Sequence, residues 1–182
     1  PRQNAMNSTF KYIVSSFLIV ISSISCGKET SAEDEFVGKK INLMSYAVIP
    51  YNTNGKDYKI NQNAKFKILS YVNLYCEPCW QYTNYWKIFF ANFKEYPEVQ
   101  FLFYVIATPE DFDFKNNEAK LDFPVLLDRN QRFGIVNQLG SAPMTFLLND
   151  KNEVLLCEPP YTEEMKKKYI SIITNKNEIN KK

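Results

Sequence analysis

Two cysteines stand two residues apart in the stretch Tyr75-Cys76-Glu77-Pro78-Cys79-Trp80, in a chain of 182 residues that has four cysteines and no histidine. Thiols at that spacing serve three kinds of chemistry: half of a metal site, a structural staple, or a redox couple that opens and closes. A structural zinc site wants four Cys or His ligands. Beyond the pair the chain offers only Cys26 and Cys157, so no metal is expected. A staple across Cys76 and Cys79 closes so short a loop that it stabilises little. The redox reading asks for a thiolate at one sulfur and a second thiol within reach of it. Cys76 just ahead of a helix would meet the positive end of the helix dipole. Pro78 suits the first helical turn, where no N–H is needed, and Cys79 falls one turn in. A CxxC inside a βαβ pattern therefore points to a redox couple. Glu77, an anion between the thiols, should raise the Cys76 pKa and favour the disulfide, which is a reducing poise. With no histidine in the chain, nothing in the sequence opposes it.

The elements around this pair must deliver it to the end of a strand. Residues 66–74 (FKILSYVNL) form a strong β run that stops at the motif. A helix should follow, because Cys79, Tyr82, Trp86, Phe89, Phe90 and Phe93 recur at helical spacing until Tyr96-Pro97 ends it. Residues 99–107 (VQFLFYVIA) are continuously apolar, as in a central parallel strand covered on both faces. Residues 108–122 are polar and acidic, and read as a loop with a short helix. Residues 123–128 read as a short strand, and 131–139 as a helix stopped by Gly140. After Ser141-Ala142-Pro143-Met144, residues 145–148 and 153–157 form a hairpin across Asn149-Asp150-Lys151-Asn152. An amphipathic helix over 163–174 closes the domain. Upstream, 41–49 is strand-like and 58–60 returns as a second short strand. The sum is a three-layer α/β/α sandwich with a mixed central sheet and an N-terminal β extension, built on a right-handed crossover.

Composition sets the class. Apolar residues make up 45% of the chain, with 14 Phe and 12 Tyr, so the core should be built on rings. A net charge of +2 is too small to argue for nucleic acid. The run Lys166-Lys167-Lys168 is read as the solvated face of the last helix. Residues 1–26 read as a signal peptide: Lys11 precedes a run over 12–25 that is apolar or small throughout. Ser25-Cys26-Gly27 behind it resembles a bacterial lipobox, in which Cys26 would carry the lipid. The acidic 27–35 would then be a tether, similar to the flank of Bacteroidetes envelope lipoproteins, and 36–182 the domain. Export puts the thiols in an oxidising compartment.

The order of elements and the motif resemble the thioredoxin fold, and within it the membrane-anchored TlpA/ResA-type thiol-disulfide oxidoreductases. The resemblance covers roughly residues 36–175 and rests on the strand followed by CEPC, on FPVLLDRNQRFGIVNQLGSAPMTFLLNDKNEVLL over 123–156, and on the N-terminal addition. It implies that Cys76 is the nucleophile and Cys79 the resolving thiol, with Tyr75, Glu77, Pro78 and Trp80 as tuning neighbours. It also implies that Pro143 is a cis-proline, set between Ala142 and Met144 and facing the substrate. Three positions depart from the family pattern: Tyr75 stands where Trp is usual, and Ser70 and Tyr82 stand where an acid is usual. No cofactor beyond the Cys76–Cys79 disulfide is implied. The implied partners are exported thiol or disulfide proteins, a membrane-bound electron donor, and the membrane itself through the anchor. A binding module on the same fold, with a redox-inactive disulfide, is the alternative. Tyr75 and Trp80 are read as an exposed platform beside the thiols, and Cys157 as a small buried hydrophobe in the hairpin.

Overall fold

The computed structural model describes residues 35–43, 48–52, 58–81, 83–140, 142–159 and 162–179. The proposed signal peptide, Cys26 and most of the tether lie outside the described residues, as do Ser141 and Tyr82. Strands and helices follow in the order β1 (Ile49–Tyr51), β2 (Phe66–Asn73), α1 (Glu77–Gln81), α2 (Thr83–Phe93), β3 (Val99–Ile106), α3 (Pro109–Ala119), β4 (Val125–Leu127), α4 (Arg132–Val136), β5 (Met144–Asn149), β6 (Val154–Cys157) and α5 (Glu163–Ile179). The sheet runs β1-β4-β3-β2-β5-β6. β2 and β3 pair in parallel, Phe66 opposite Val99 through Asn73 opposite Ile106. On its other side β2 pairs antiparallel with β5, Tyr71 opposite Met144.

β2 lies at the centre because it can be buried on both faces. Side chains alternate along a strand, and here both alternating sets supply buried apolar side chains, with Lys67 and Ser70 buried among them. Leu69 and Tyr71 join Leu102, Tyr104, Phe133 and Phe146 in one cluster, with Phe36 and Ile41 packed in from the N-terminal segment. Val72 joins Phe103, Val105, Trp86, Phe112 and Phe123. Phe66 and Ile68 join Phe89, Phe93, Tyr169 and Ile173. The rings meet mostly edge to face, as Trp86 does on Phe103 and Phe89 on Tyr169, the geometry that ring quadrupoles favour.

Four elements differ from the sequence reading, and the simplest is that residues 58–60, expected as a short strand, form none. The polar segment 108–122 holds the eleven-residue helix α3. Thr108 caps it by accepting the Asp111 N–H, Pro109 occupies its first turn, and Lys120 ends it with a left-handed backbone at φ 51°. The helix expected over 131–139 is the five-residue α4. Its first amides are taken by Asp128, whose Oδ1 accepts from Arg132 at 2.9 Å and whose Oδ2 accepts from Phe133 at 3.1 Å. Gly134 lets α4 sit against β2, since a Cβ there would come within 2.4 Å of the Tyr71 hydroxyl. The N-terminal strand is Ile49–Tyr51, paired antiparallel with β4, while Ile41 and Leu43 are buried outside any strand. No helix among the described residues is long and apolar enough to cross a membrane.

Candidate active site at the end of β2

The chain leaves β2 at Asn73, turns, and enters α1 at Glu77. The turn is fixed locally: Asn73 Oδ1 accepts the Tyr75 N–H at 3.0 Å and the Asn73 carbonyl accepts the Cys76 N–H at 3.2 Å. Cys76 then stands at the cap position of α1, with its carbonyl accepting from Trp80 N at 3.2 Å. Its sulfur accepts from Cys79 N at 3.3 Å, as a capping oxygen would in an ordinary helix. Cys76 and Cys79 are joined in a disulfide with a Cα–Cα distance of 5.2 Å.

The two sulfurs are not equivalent. Cys79 is buried, at 2% exposure, and Cys76 is partly exposed. Cys79 Sγ lies 3.7 Å from the Ala142 carbonyl. A disulfide sulfur has no proton to give, but the reduced thiol could donate there. The Ala142–Pro143 bond is cis, and Ala142, which meets the disulfide through its carbonyl, is partly exposed, as are Pro143 and Met144 after it. A cleft of about 350 Å³ opens on Pro143, Met144, Phe36 and Cys157. A smaller one of about 200 Å³ opens on Ala142, Asn73, Tyr71 and Gln138.

The neighbours of the thiols are arranged differently from the sequence reading. Tyr75 is exposed, at 63%, but its hydroxyl is tied to Asp111 Oδ2 at 2.6 Å. That bond, with a second one from the Thr108 hydroxyl at 2.9 Å, holds the Asp111 carboxyl below its usual pKa. Trp80 is no platform: it is 6% exposed and sits edge-on against Phe112 of α3, at 6.4 Å between centroids. Glu77 is not left unopposed, because Lys115 Nζ donates to its Oε2 at 2.7 Å. Ser70, where the family pattern has an acid, is fully buried with its hydroxyl 3.4 Å from that of Thr145. Cys157 lies outside the disulfide and is buried on β6 opposite Phe146.

Asp111, Phe112 and Lys115 are the residues that sequence reasoning missed. Lys115 stands four residues after Asp111 and three after Phe112, so it neighbours both on the helix surface, and each of the three meets one residue of the motif. The signal was present in Thr108-Pro109-Glu110-Asp111, a capping residue, a helix-starting proline and an acid three residues after the cap. What they touch could not be read, because Lys115 and Glu77 lie 38 positions apart.

No protein-family model matches the sequence, and no curated protein matches it. Solved structures do. StoA from Bacillus subtilis is 23% identical over 68% of this chain and 96% of its own, with a TM-score of 0.56. The thioredoxin domain of a thiol-disulfide oxidoreductase from Bacteroides vulgatus is 14% identical over 75% of this chain and 96% of its own, with a TM-score of 0.61. A thiol-disulfide oxidoreductase from Bacteroides fragilis is 12% identical over 61% of this chain and 82% of its own, at 0.52. The fold is therefore that of thioredoxin, a mixed sheet with flanking helices, as its motif led one to expect.

Proposed function

We propose that the chain is an exported thiol-disulfide oxidoreductase that reduces disulfides of other exported proteins through Cys76 and Cys79. The observation that carries this reading is the asymmetry of the pair: one sulfur is open and receives an N–H, the other is buried behind it. In the reduced protein the Cys76 thiolate attacks a substrate disulfide. A mixed disulfide forms and one substrate sulfur leaves as a thiolate. Cys79, once deprotonated, attacks Cys76 Sγ, so the Cys76–Cys79 bond forms and the second substrate sulfur is released. Two electrons and two protons pass to the substrate. A membrane-bound dithiol donor would restore the pair. The names of the solved neighbours support the activity class, and the lipobox-like Cys26 supports an envelope site at a membrane.

Ala142, Pro143 and Met144 would hold the substrate backbone beside Cys76, with the 350 Å³ cleft beyond them for its side chains. A binding module with an idle disulfide is the second reading. What favours it is the Ser70–Thr145 hydroxyl pair, which leaves the strand beneath the thiols without an acid.

The test is a redox titration of protein carrying Cys26→Ser and Cys157→Ser, against dithiol buffers. A midpoint near or below about −250 mV, where reductases such as thioredoxin lie, is expected. A value near about −120 mV would mark an oxidant and reverse the proposed direction. A pair that cannot be cycled at all would leave the binding module. With Cys79→Ser the protein should hold substrates as mixed disulfides on Cys76, and with Cys76→Ser it should hold none.

A further inference from the structure

We infer that Lys115 sets the poise of the Cys76–Cys79 couple by neutralising Glu77, so that the nucleophile faces an ion pair and not a lone anion. The inference rests on the redox reading of these cysteines. Its ground is the way α3 grips the motif. Tyr75 hydrogen-bonds Asp111, Trp80 packs on Phe112, and Glu77 accepts from Lys115 at 2.7 Å. Lys115 follows Asp111 by four residues and Phe112 by three, so the two anchors one turn before it on α3 hold it over Glu77. Lys115 is the less exposed partner, at 27% against 68% for Glu77. Asp111, one turn back on α3, is engaged by the Tyr75 and Thr108 hydroxyls. Glu118, one position closer than a full turn ahead, adds a further negative charge near Lys115.

Glu77 follows Cys76 directly in the chain. An unpaired carboxylate there would disfavour the Cys76 thiolate and so the reduced form. With Lys115 on it, most of that field is cancelled. Lys115 is thus a positioning residue for charge: it touches neither sulfur nor substrate, and acts through Glu77. Because the pair is solvent-facing and screened, its effect should be modest. Removing Lys115 should shift the equilibrium with a dithiol buffer about threefold toward the disulfide, which is about 15 mV downward for a two-electron couple. Electrons and protons are exchanged with the buffer alone, so no further reactant is needed.

A charge cycle tests this, with midpoints measured at pH 7 for the protein and for Lys115→Met, Glu77→Gln and the double variant. Lys115→Met should lower the midpoint, Glu77→Gln should raise it, and the double variant should return close to the starting value. In about 1 M salt, where the screening length is about 3 Å, the single-variant shifts should shrink. Loosening of α3 would behave otherwise: both single variants would move the midpoint the same way, the double would not recover, and salt would change little. Any of those results, or no shift on Lys115→Met, overturns the inference while the redox reading stands. If the starting protein cannot be cycled between thiol and disulfide in any buffer, both fall together.

Discussion

At the scale of single residues, the site divides its work between two sulfurs with different surroundings. Cys76 is open to a partner and collects the Cys79 N–H, while Cys79 waits against the Ala142 carbonyl. Tyr75 shows how a surface side chain can be fixed without burial. Its hydroxyl bond lowers the Asp111 pKa and raises its own. The sign of the resulting pH dependence follows from linkage. A carboxyl whose pKa is lower in the folded state adds stability that is present above its unfolded pKa of about 3.9 and is lost as pH falls through the folded value. The stability advantage of the protein over Asp111→Asn should therefore be full above about pH 5 and fade toward pH 2. Chemical denaturation across that range measures it. An advantage that held steady down to pH 2 would mean that the Tyr75–Asp111 bond does not form in solution.

At the scale of elements, legibility followed the number of buried anchors. β2 and β3 are legible because most of their side chains are apolar and both faces are covered. The run at 123–128 was read for the same reason. The segment 108–122 reads as a loop with only a short helix, because α3 buries only Phe112 and Ala119, too few for a helical period to show its full length. The N-terminal strand was placed too early because Ile41 and Leu43 are apolar for the core and not for a sheet, whereas Ile49 to Tyr51 are set by register against β4. Trp80 reads as exposed because its cover, Phe112, comes from a segment 32 positions away whose packing the sequence does not show. The cap of α3 offers a test of what that helix does. Thr108→Ala should remove one N-terminal hydrogen bond and cost about 1 kcal/mol. Amide exchange should speed up in α3 and stay slow in β2, which is hydrogen-bonded on both sides. The midpoint should also move down, in the direction of Lys115→Met but by less, since Lys115 rides on the same helix. A midpoint that did not follow the loss of helix protection would separate α3 from the thiols.

At the scale of the whole molecule, the disulfide and the fold are joined by a thermodynamic cycle. The bond spans three positions, so by chain entropy it contributes roughly 2 kcal/mol, the low end of what disulfides give and too little to make it a staple the fold depends on. Of the three aromatic clusters only the one around Trp86 and Phe103 includes the two cysteines, and its rings, like Phe89 and Phe133 in the others, are buried by the sheet and its helices. Reduction should therefore leave a folded protein, as a turnover cycle requires. The stability gap between the disulfide and dithiol forms then reports the midpoint of the folded couple relative to that of the unfolded chain, at about 1.4 kcal/mol per 30 mV. Lys115→Met alters the field at the folded pair but leaves the unfolded couple nearly unchanged, because there Lys115 and Glu77 are far apart. A drop of about 15 mV should thus appear as a disulfide form that gains about 0.7 kcal/mol over the dithiol form. Urea denaturation of both forms, with and without the substitution, measures the gap independently of any redox buffer. If the gap widened by that amount, the charge on α3 would be acting on the folded thiols. If the midpoint moved while the gap stayed constant, the shift would arise in the buffer reaction and the cycle would not close.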